Sequence, residues 1–218
     1  AQTPAQLVLK FKQNKEAILL LYFVIFIYKI RYMSQMNHAM QLMRKLYEQQ
    51  QNNQALLHDK TYSSVSEQDL IKLEMNGKFK VLSLTINEGL IDADDVITLE
   101  EMLTDTVNKC VKNILQDYDN AVPDQLKQIY AMEPSGQIEA AKKEWNDKSF
   151  NYECADGNLT VVIRGSMLID KLTIKPDIVK PDQKAKLEEI LANDLSDAFD
   201  AVYDSWDENN NATLPLNE

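Results

Sequence analysis

Two cysteines and two histidines are the side chains of this 218-residue chain best suited to metal binding or nucleophilic catalysis. Cys110 and Cys154 are far apart, and His38 and His58 are distant from both, so no group has the spacing of a metal-ligand motif. We interpret the cysteines as small core residues in a reducing compartment. We interpret the histidines as helix-surface residues. The sequence therefore predicts no metal site and no cofactor.

Pairs of neighbouring acids are the other candidates for catalysis, because two carboxylates can act as general acid and base. The pairs are Asp94-Asp95, Glu100-Glu101 and Glu188-Glu189. Each lies beside an apolar helical pattern, where acids usually form a solvated or capping face near the helix N-terminus. The chain also lacks a glycine-rich phosphate loop and a nucleophile motif with a matching base. We predict that the protein is not an enzyme.

The net charge of −11 is unevenly distributed along the chain. Residues 1–32 contain five basic residues and one acid, a charge of +4, so residues 33–218 carry −15. General binding of polyanions requires a concentrated basic surface, which this composition does not supply. A local basic patch remains compatible with it.

The first 32 residues contain an apolar run of 12 residues, 17–28, with basic residues on both sides. A transmembrane helix requires about 20 apolar residues, so the run is short for a membrane span. It could be the core of a signal peptide, yet no small-residue cleavage site follows it. We expect the native fold to begin near Met33, and residues 1–32 to form a non-core extension. A membrane anchor is the less favoured alternative.

Hydrophobic periodicity predicts the elements that follow. Methionine and leucine recur with helical spacing over residues 34–58, which predicts a long amphipathic helix. Alternating apolar residues predict three antiparallel strands, at residues 62–66, 70–76 and 79–86. Asn76-Gly77 predicts a turn, since both residues tolerate positive φ. A helix capped by Asp94 or Asp95 and a short helix at 125–132 complete this half.

The second half repeats this order of elements. Residues 71–118 recur at 159–206, an offset of 88 that needs no gap. Gly77 matches Gly165, for example, and Leu99 matches Leu187. Unrelated elements could share a period, but they would not share the length of every connecting loop. The sequence therefore predicts a duplicated unit.

The order and spacing of these motifs resemble the YbaB/EbfC family of nucleoid-associated proteins. The motifs are Asn76-Gly77, the strand Leu84-Thr85-Ile86-Asn87 and the helix that contains Leu99-Glu100-Glu101-Met102-Leu103. The Met-rich segment 33–51 is similar to the first helix of that family. The resemblance covers residues 33–120 well and residues 137–206 more weakly. It implies an α+β fold with two copies of a unit that contains a helix, a three-stranded antiparallel sheet and a long helix. Because members of the family are small homodimers, we expect the two copies to pack as an intrachain pseudo-dimer.

We therefore predict five parts of the chain. They are the extension 1–32, a first unit 33–121, a linker 122–136, a second and divergent unit 137–206, and a disordered tail 207–218.

The resemblance also implies DNA binding through basic residues on the helices. In this chain the matching residues are Arg44 and Lys45 on the first helix, and Lys109 and Lys112 on the long helix. The second copy departs from this pattern, because its equivalents of Lys109 and Lys112 are acids, at positions 197 and 200. DNA binding should therefore be one-sided.

The leading hypothesis is a cytoplasmic, nucleoid-associated protein that binds double-stranded DNA with little sequence preference. The alternative is a protein-interaction module that has kept the fold and lost DNA binding, as the acidic second copy and the methionine stripe suggest. No small-molecule substrate is predicted.

Overall fold

The structure, a computed structural model, describes residues 15–132, 136–154 and 156–212. The chain divides into two compact units, residues 1–49 and residues 50–218. Both copies of the predicted sheet lie in the second unit.

A single long helix, α1 (Lys15–Ala55), forms the described part of the first unit and continues into the second. It begins earlier than the predicted start at residue 34 and ends before residue 58. No glycine or proline interrupts its 41 residues, so nothing in the sequence stops the helix at the apolar run. Among the described residues, no helical stretch combines the length and the apolar character that a membrane span requires. Residues 1–14 of the predicted extension lie outside the described residues, and the domain boundary at residue 33 stays a prediction.

The first copy has three strands and a long helix in the predicted order. The strands are β1 (Thr61–Val65), β2 (Ile71–Asn76) and β3 (Val81–Ile86), and they pair antiparallel in the order β1-β2-β3. Helix α2 (Val96–Ala121) and the short helix α3 (Asp124–Ala131) follow. The Asp95 carboxylate caps α2 by accepting hydrogen bonds from the backbone N–H and the hydroxyl of Thr98. These elements confirm the predicted sheet and the predicted helix cap.

The second copy repeats these elements. It consists of helix α4 (Gln137–Asn146), strands β4 (Ser149–Glu153), β5 (Leu159–Arg164) and β6 (Ile169–Ile174), and helix α5 (Lys184–Ala212). Its sheet is also antiparallel, in the order β4-β5-β6. Helix α5 continues past residue 206, the predicted end of this unit, so residues 207–212 of the predicted disordered tail are helical. The last part of the predicted tail, residues 213–218, lies outside the described residues.

The offset of 88 holds at the level of single residues. Each strand of the second copy begins and ends 88 positions after its counterpart, and so does the start of α5 relative to α2. The irregularity between Glu74 and Met75 also recurs, between Val162 and Ile163. The two sheets therefore share their register as well as their order, which confirms the duplication and extends it to β1 and β4.

The β2–β3 turn keeps its glycine for a reason that the sequence did not suggest. The positive φ falls on Phe79 (64°), and its counterpart Met167 has the same value, while Gly77 is not in the left-handed region. A Cβ atom on Gly77 would lie 1.9 Å from the backbone oxygen of Leu57, which no side chain could tolerate. The predicted role of Asn76-Gly77 as a positive-φ pair is therefore wrong. Close approach of the preceding backbone is what requires glycine here.

The two copies pack on each other through equivalent contacts. Helix α2 covers its own strands and also reaches β6, while α5 covers its own strands and reaches β3. Four hydrogen bonds cap the edges of β3 and β6. In the first copy, the Val81 N–H donates to Ser196 Oγ (3.0 Å) and the Ile86 N–H to Glu188 Oε1 (2.7 Å). In the second copy, the Ile169 N–H donates to Asn108 Oδ1 (2.8 Å) and the Ile174 N–H to Glu100 Oε1 (2.7 Å). Every donor and every acceptor in this set has its counterpart 88 positions away.

A pseudo-two-fold relation follows from these contacts. Tyr118 and its counterpart Trp206 meet edge to face, with their ring centroids 5.2 Å apart. A pair of equivalent residues in direct contact marks the position of the pseudo-symmetry axis. One buried core, with Leu103 and Leu191 completely enclosed, spans both copies. The predicted α+β fold with an intrachain pseudo-dimer is confirmed.

Candidate nucleic-acid interface

Arg44 and Lys45 lie on α1, within the first compact unit. Both side chains are exposed, and that of Arg44 retains 81% of its accessible surface. The Arg44 guanidinium contacts the Glu48 carboxylate at 3.3 Å, one helical turn further along. An exposed pair of this kind contributes only about 0.3–0.5 kcal/mol. Arg44 can therefore exchange Glu48 for a phosphate at little cost.

Lys109 and Lys112 lie on α2, in the second unit, and the structure brings them together. They are three residues apart on the helix, so their side chains leave the same face. Both are exposed. The Lys109 ammonium donates to the backbone oxygen of Val65 at 3.2 Å, which holds its side chain over the end of β1. An ammonium has three donor hydrogens, so this bond leaves Lys109 able to contact an anion.

A cleft of about 410 Å³ lies next to Lys109. The β1–β2 connection forms one wall, with Ser66 and Leu70, and α2 forms the other, with Met102 and Asp105. The acids that line this cleft offset the charge of Lys109 on that side.

The equivalent face of α5 is acidic. Asp197 and Asp200 occupy the positions of Lys109 and Lys112, and both are exposed. Partial burial of its carboxyl group raises the pKa of Asp200, and the neighbouring Asp197 carboxylate adds to this effect. Within the described residues, the pseudo-two-fold relation thus places anions on one copy where the other has cations.

Two further exposed lysines lie outside the predicted set of cations. Lys78 and Lys80 are exposed on the β2–β3 turn, on either side of the buried Phe79. The alternation Lys-Phe-Lys was the available signal, because a buried residue between two lysines directs both of them to solvent. Their counterparts in the second copy are Ser166 and Leu168, which carry no charge.

The interpretation of the glutamate pairs as a solvated or capping face is wrong for Glu100 and Glu188. Each accepts a backbone N–H from the edge strand of the other copy, as described above. These carboxylates therefore hold the pseudo-dimer together. Their partners lie far away in sequence, so helical spacing alone could not reveal the contact.

The cysteines have the predicted buried positions, and burial raises the pKa of the Cys110 thiol to about 11. A thiol of this kind is a poor nucleophile at neutral pH. His58 differs from its prediction, because it lies in the turn after α1, with Nε2 3.4 Å from the Tyr203 hydroxyl. In the described part of the chain, no group of three potential ligands is arranged to hold a metal ion.

Comparison with known proteins identifies both copies. The YbaB/EbfC DNA-binding family matches residues 33–130 and again residues 119–212. A nucleoid-associated protein of Streptococcus thermophilus is 34% identical over 82 residues, which cover 38% of this chain and 83% of the relative. A nucleoid-associated protein of Lactococcus lactis subsp. cremoris is 37% identical over 82 residues, which again cover 38% of this chain and 83% of the relative. Such a relative corresponds in length to one copy. No solved structure matches the chain.

Proposed function

Since the chain belongs to the YbaB/EbfC DNA-binding family, we propose that it is a nucleoid-associated protein of the cytoplasm that binds double-stranded DNA with low sequence specificity. Arg44, Lys45, Lys109 and Lys112 supply the phosphate contacts. The role is binding rather than catalysis.

The observation that carries this proposal is the pair of exposed lysines on α2. Lys109 and Lys112 project from the same face within one turn, so both ammonium groups can approach one phosphate backbone. Contacts of this kind fix the position of a protein on a duplex without reading the bases. Low sequence specificity follows, because the proposed site consists of cationic groups that bind any phosphate backbone.

The salt dependence of binding tests the proposal. Fluorescence anisotropy of a labelled duplex should show an affinity that falls linearly with salt on a log–log plot, because each phosphate contact releases counterions. Replacing Lys109 and Lys112 by glutamine should reduce the magnitude of the slope by about 2, one unit for each lost contact. AT-rich and GC-rich duplexes should bind with similar affinities.

A matched control uses two exposed lysines of the second copy, Lys171 and Lys180. The K171Q/K180Q variant has the same net charge as K109Q/K112Q but leaves α2 unchanged. Equal losses in the two variants would reject the assignment to α2. An absence of binding by the unchanged chain at 50 mM salt would reject DNA binding itself.

Protein interaction without DNA is the second candidate, and the exposed apolar surface of α1 favours it. Met36 and Met40 retain 48% and 53% of their surface, and the described side chains between Leu19 and Leu42 are all exposed. Exposed methionines are typical of adaptable protein-binding surfaces. Recovery of one defined protein partner that persists after nuclease treatment, together with no affinity for DNA, would favour this candidate.

A further inference from the structure

The β2–β3 turn presents two lysines in a fixed arrangement. The Asn76 side-chain oxygen accepts hydrogen bonds from the backbone N–H groups of Lys78 (3.0 Å) and Lys80 (2.9 Å). Phe79, between them, is completely buried. Because the backbone is held at both lysines and anchored by the ring between them, the points from which the two side chains project are fixed.

This turn lies against α5 of the second copy. The Phe79 ring contacts the rings of Phe199 and Trp206, with centroid distances of 5.9 and 5.6 Å. Just beyond the turn, the Val81 N–H donates to Ser196 Oγ at 3.0 Å. These contacts run along α5 from residue 196 to residue 206, so Lys78 and Lys80 stand beside this part of the helix.

The same part of α5 carries a row of exposed acids, which we call the acidic stripe and define as Asp197, Asp200 and Asp204. Their spacing of three and four residues places them on one face of the helix. Asp200 is the central member and immediately follows Phe199, on which the turn packs. Burial and the other two acids raise its pKa, while Lys80 and Lys78 act in the opposite direction and favour its charged form. The charges of Lys78 and Lys80 therefore act on the central acid.

The equivalent contact in the second copy lacks this complementarity. The β5–β6 turn carries Ser166 and Leu168 at the positions of the two lysines, and Lys112 occupies the position of Asp200. A lysine at position 200 would have added a third cation beside Lys78 and Lys80. The acids on α5 thus offset the charge of the β2–β3 turn, which this helix contacts. The charge of Lys112 on α2 is not offset in this way, because Ser166 and Leu168 on the β5–β6 turn are uncharged.

We propose that the acidic stripe of α5 is an autoinhibitory surface, which offsets the charge of Lys78 and Lys80 and so keeps DNA from using the β2–β3 turn. This inference rests on the proposed function, since it concerns the extent of the same DNA-binding surface. DNA contacts are confined to the cations outside the turn because a phosphate that approaches Lys78 or Lys80 also approaches the stripe, and like charges repel. Removing the central acid should therefore add the turn to the DNA-binding surface.

The test is a charge cycle in the full-length chain, with duplex binding measured between 50 and 200 mM salt. Asp200→Asn should steepen the salt dependence by about 1 to 2 units, one for each lysine released. Over that range its affinity should fall about 4- to 16-fold more than that of the unchanged chain. K78Q/K80Q should have little effect by itself and should abolish the gain in the D200N background. Glu144→Gln, an exposed acid on α4, is the control for the change in net charge.

The outcomes separate this inference from the proposed function. If the unchanged chain binds DNA and D200N behaves like E144Q, the autoinhibitory role is wrong and DNA binding stands. If only D200N binds, the inference is supported and the proposed contacts of the unchanged chain are wrong. If neither binds, both proposals fail. Circular dichroism of each variant checks that the fold is unchanged, and a gain in D200N that survives K78Q/K80Q would also overturn the inference.

Discussion

The hydrogen bonds of Asn108 provide the sharpest test of the pseudo-dimer interface. Its side chain contacts Ile169 twice, since Oδ1 accepts the backbone N–H at 2.8 Å and Nδ2 donates to the backbone oxygen at 2.9 Å. Its counterpart Ser196 makes one contact with the other copy and directs its own hydroxyl to Ala192. Asn108→Ala therefore leaves two partly buried backbone groups without partners, whereas Ser196→Ala leaves one buried N–H group without a partner.

The expected loss follows from these contacts. An unpaired backbone group costs about 1–1.5 kcal/mol in an interface of this kind, so the two groups together cost about 2–3 kcal/mol. Because alanine is a better helix former than asparagine, the substitution also stabilises the helix by about 0.6 kcal/mol. The net loss for N108A should be roughly 1.5–2.5 kcal/mol, and the loss for S196A about half of that.

Urea denaturation followed by circular dichroism measures these free energies of unfolding. Asn113→Ala is the matched control, because Asn113 is exposed on the same helix and gains the same helix propensity without losing a contact between the copies. N108A should be about 2–3 kcal/mol less stable than N113A. Equal stabilities of N108A and N113A, or a larger loss in S196A than in N108A, would refute the proposed role of this contact.

Three further predictions concern stability. Asp194 has a buried Oδ2 without a hydrogen-bond partner, and burial raises the pKa of its carboxyl group. Replacing it by threonine, the residue at the equivalent position 106, should stabilise the chain by roughly 1 kcal/mol near neutral pH. Since the unfolded carboxyl ionises at lower pH than the folded one, this gain should disappear in denaturation curves below about pH 4. Gly77→Ala should lower the free energy of unfolding by about 2 kcal/mol or more, because its Cβ would collide with the Leu57 backbone. Burial, and next the charge of Lys78, lower the pKa of His58. The unfolded imidazole therefore takes up a proton at higher pH than the folded one, and the free energy of unfolding should fall as the pH drops below about 6.5. This fall should be smaller in His58→Gln.

Each of these predictions has its own contradicting result. A D194T variant whose gain is the same at pH 3 and pH 7 would exclude the ionised carboxylate as the cause. Gly89 is the control for Gly77, because the nearest atom to its added Cβ is a flexible side-chain oxygen at 3.3 Å. Equal losses in G77A and G89A would reject the backbone collision. An unchanged pH dependence in H58Q would show that protonation of His58 does not cause the loss of stability.

Most of the secondary structure could be predicted because it depends on local periodicity. The alternation from Ile71 to Met75 is set by one buried face of β2, and the structure buries the predicted residues. The offset of 88 could be recognised for the same reason, since a shared register keeps apolar residues at matching positions. The extent of α1 was missed because the apolar run before Met33 was assigned to an extension, although its residues favour a helix.

The contacts between the copies could not be predicted from local patterns. Glu100 resembles an ordinary helix-surface acid in sequence, yet its partner is the backbone of Ile174 on the other sheet. The role of Gly77 was missed for the same reason, because the colliding atom belongs to Leu57. Of the candidate site, Lys109 and Lys112 could be placed on one helix face, whereas the proximity of Lys78 to the acidic stripe depends on how the two copies dock.

We propose that this acidic chain binds DNA through a small set of cations on one copy and on α1. The most direct measurement is the salt dependence of duplex binding by the unchanged chain, compared with a variant in which Arg44, Lys45, Lys109 and Lys112 are all glutamine. Four phosphate contacts predict a log–log slope of about −3.6 for the unchanged chain and a loss of binding in the variant. A slope near zero, or a variant that binds as well as the unchanged chain, would contradict the claim.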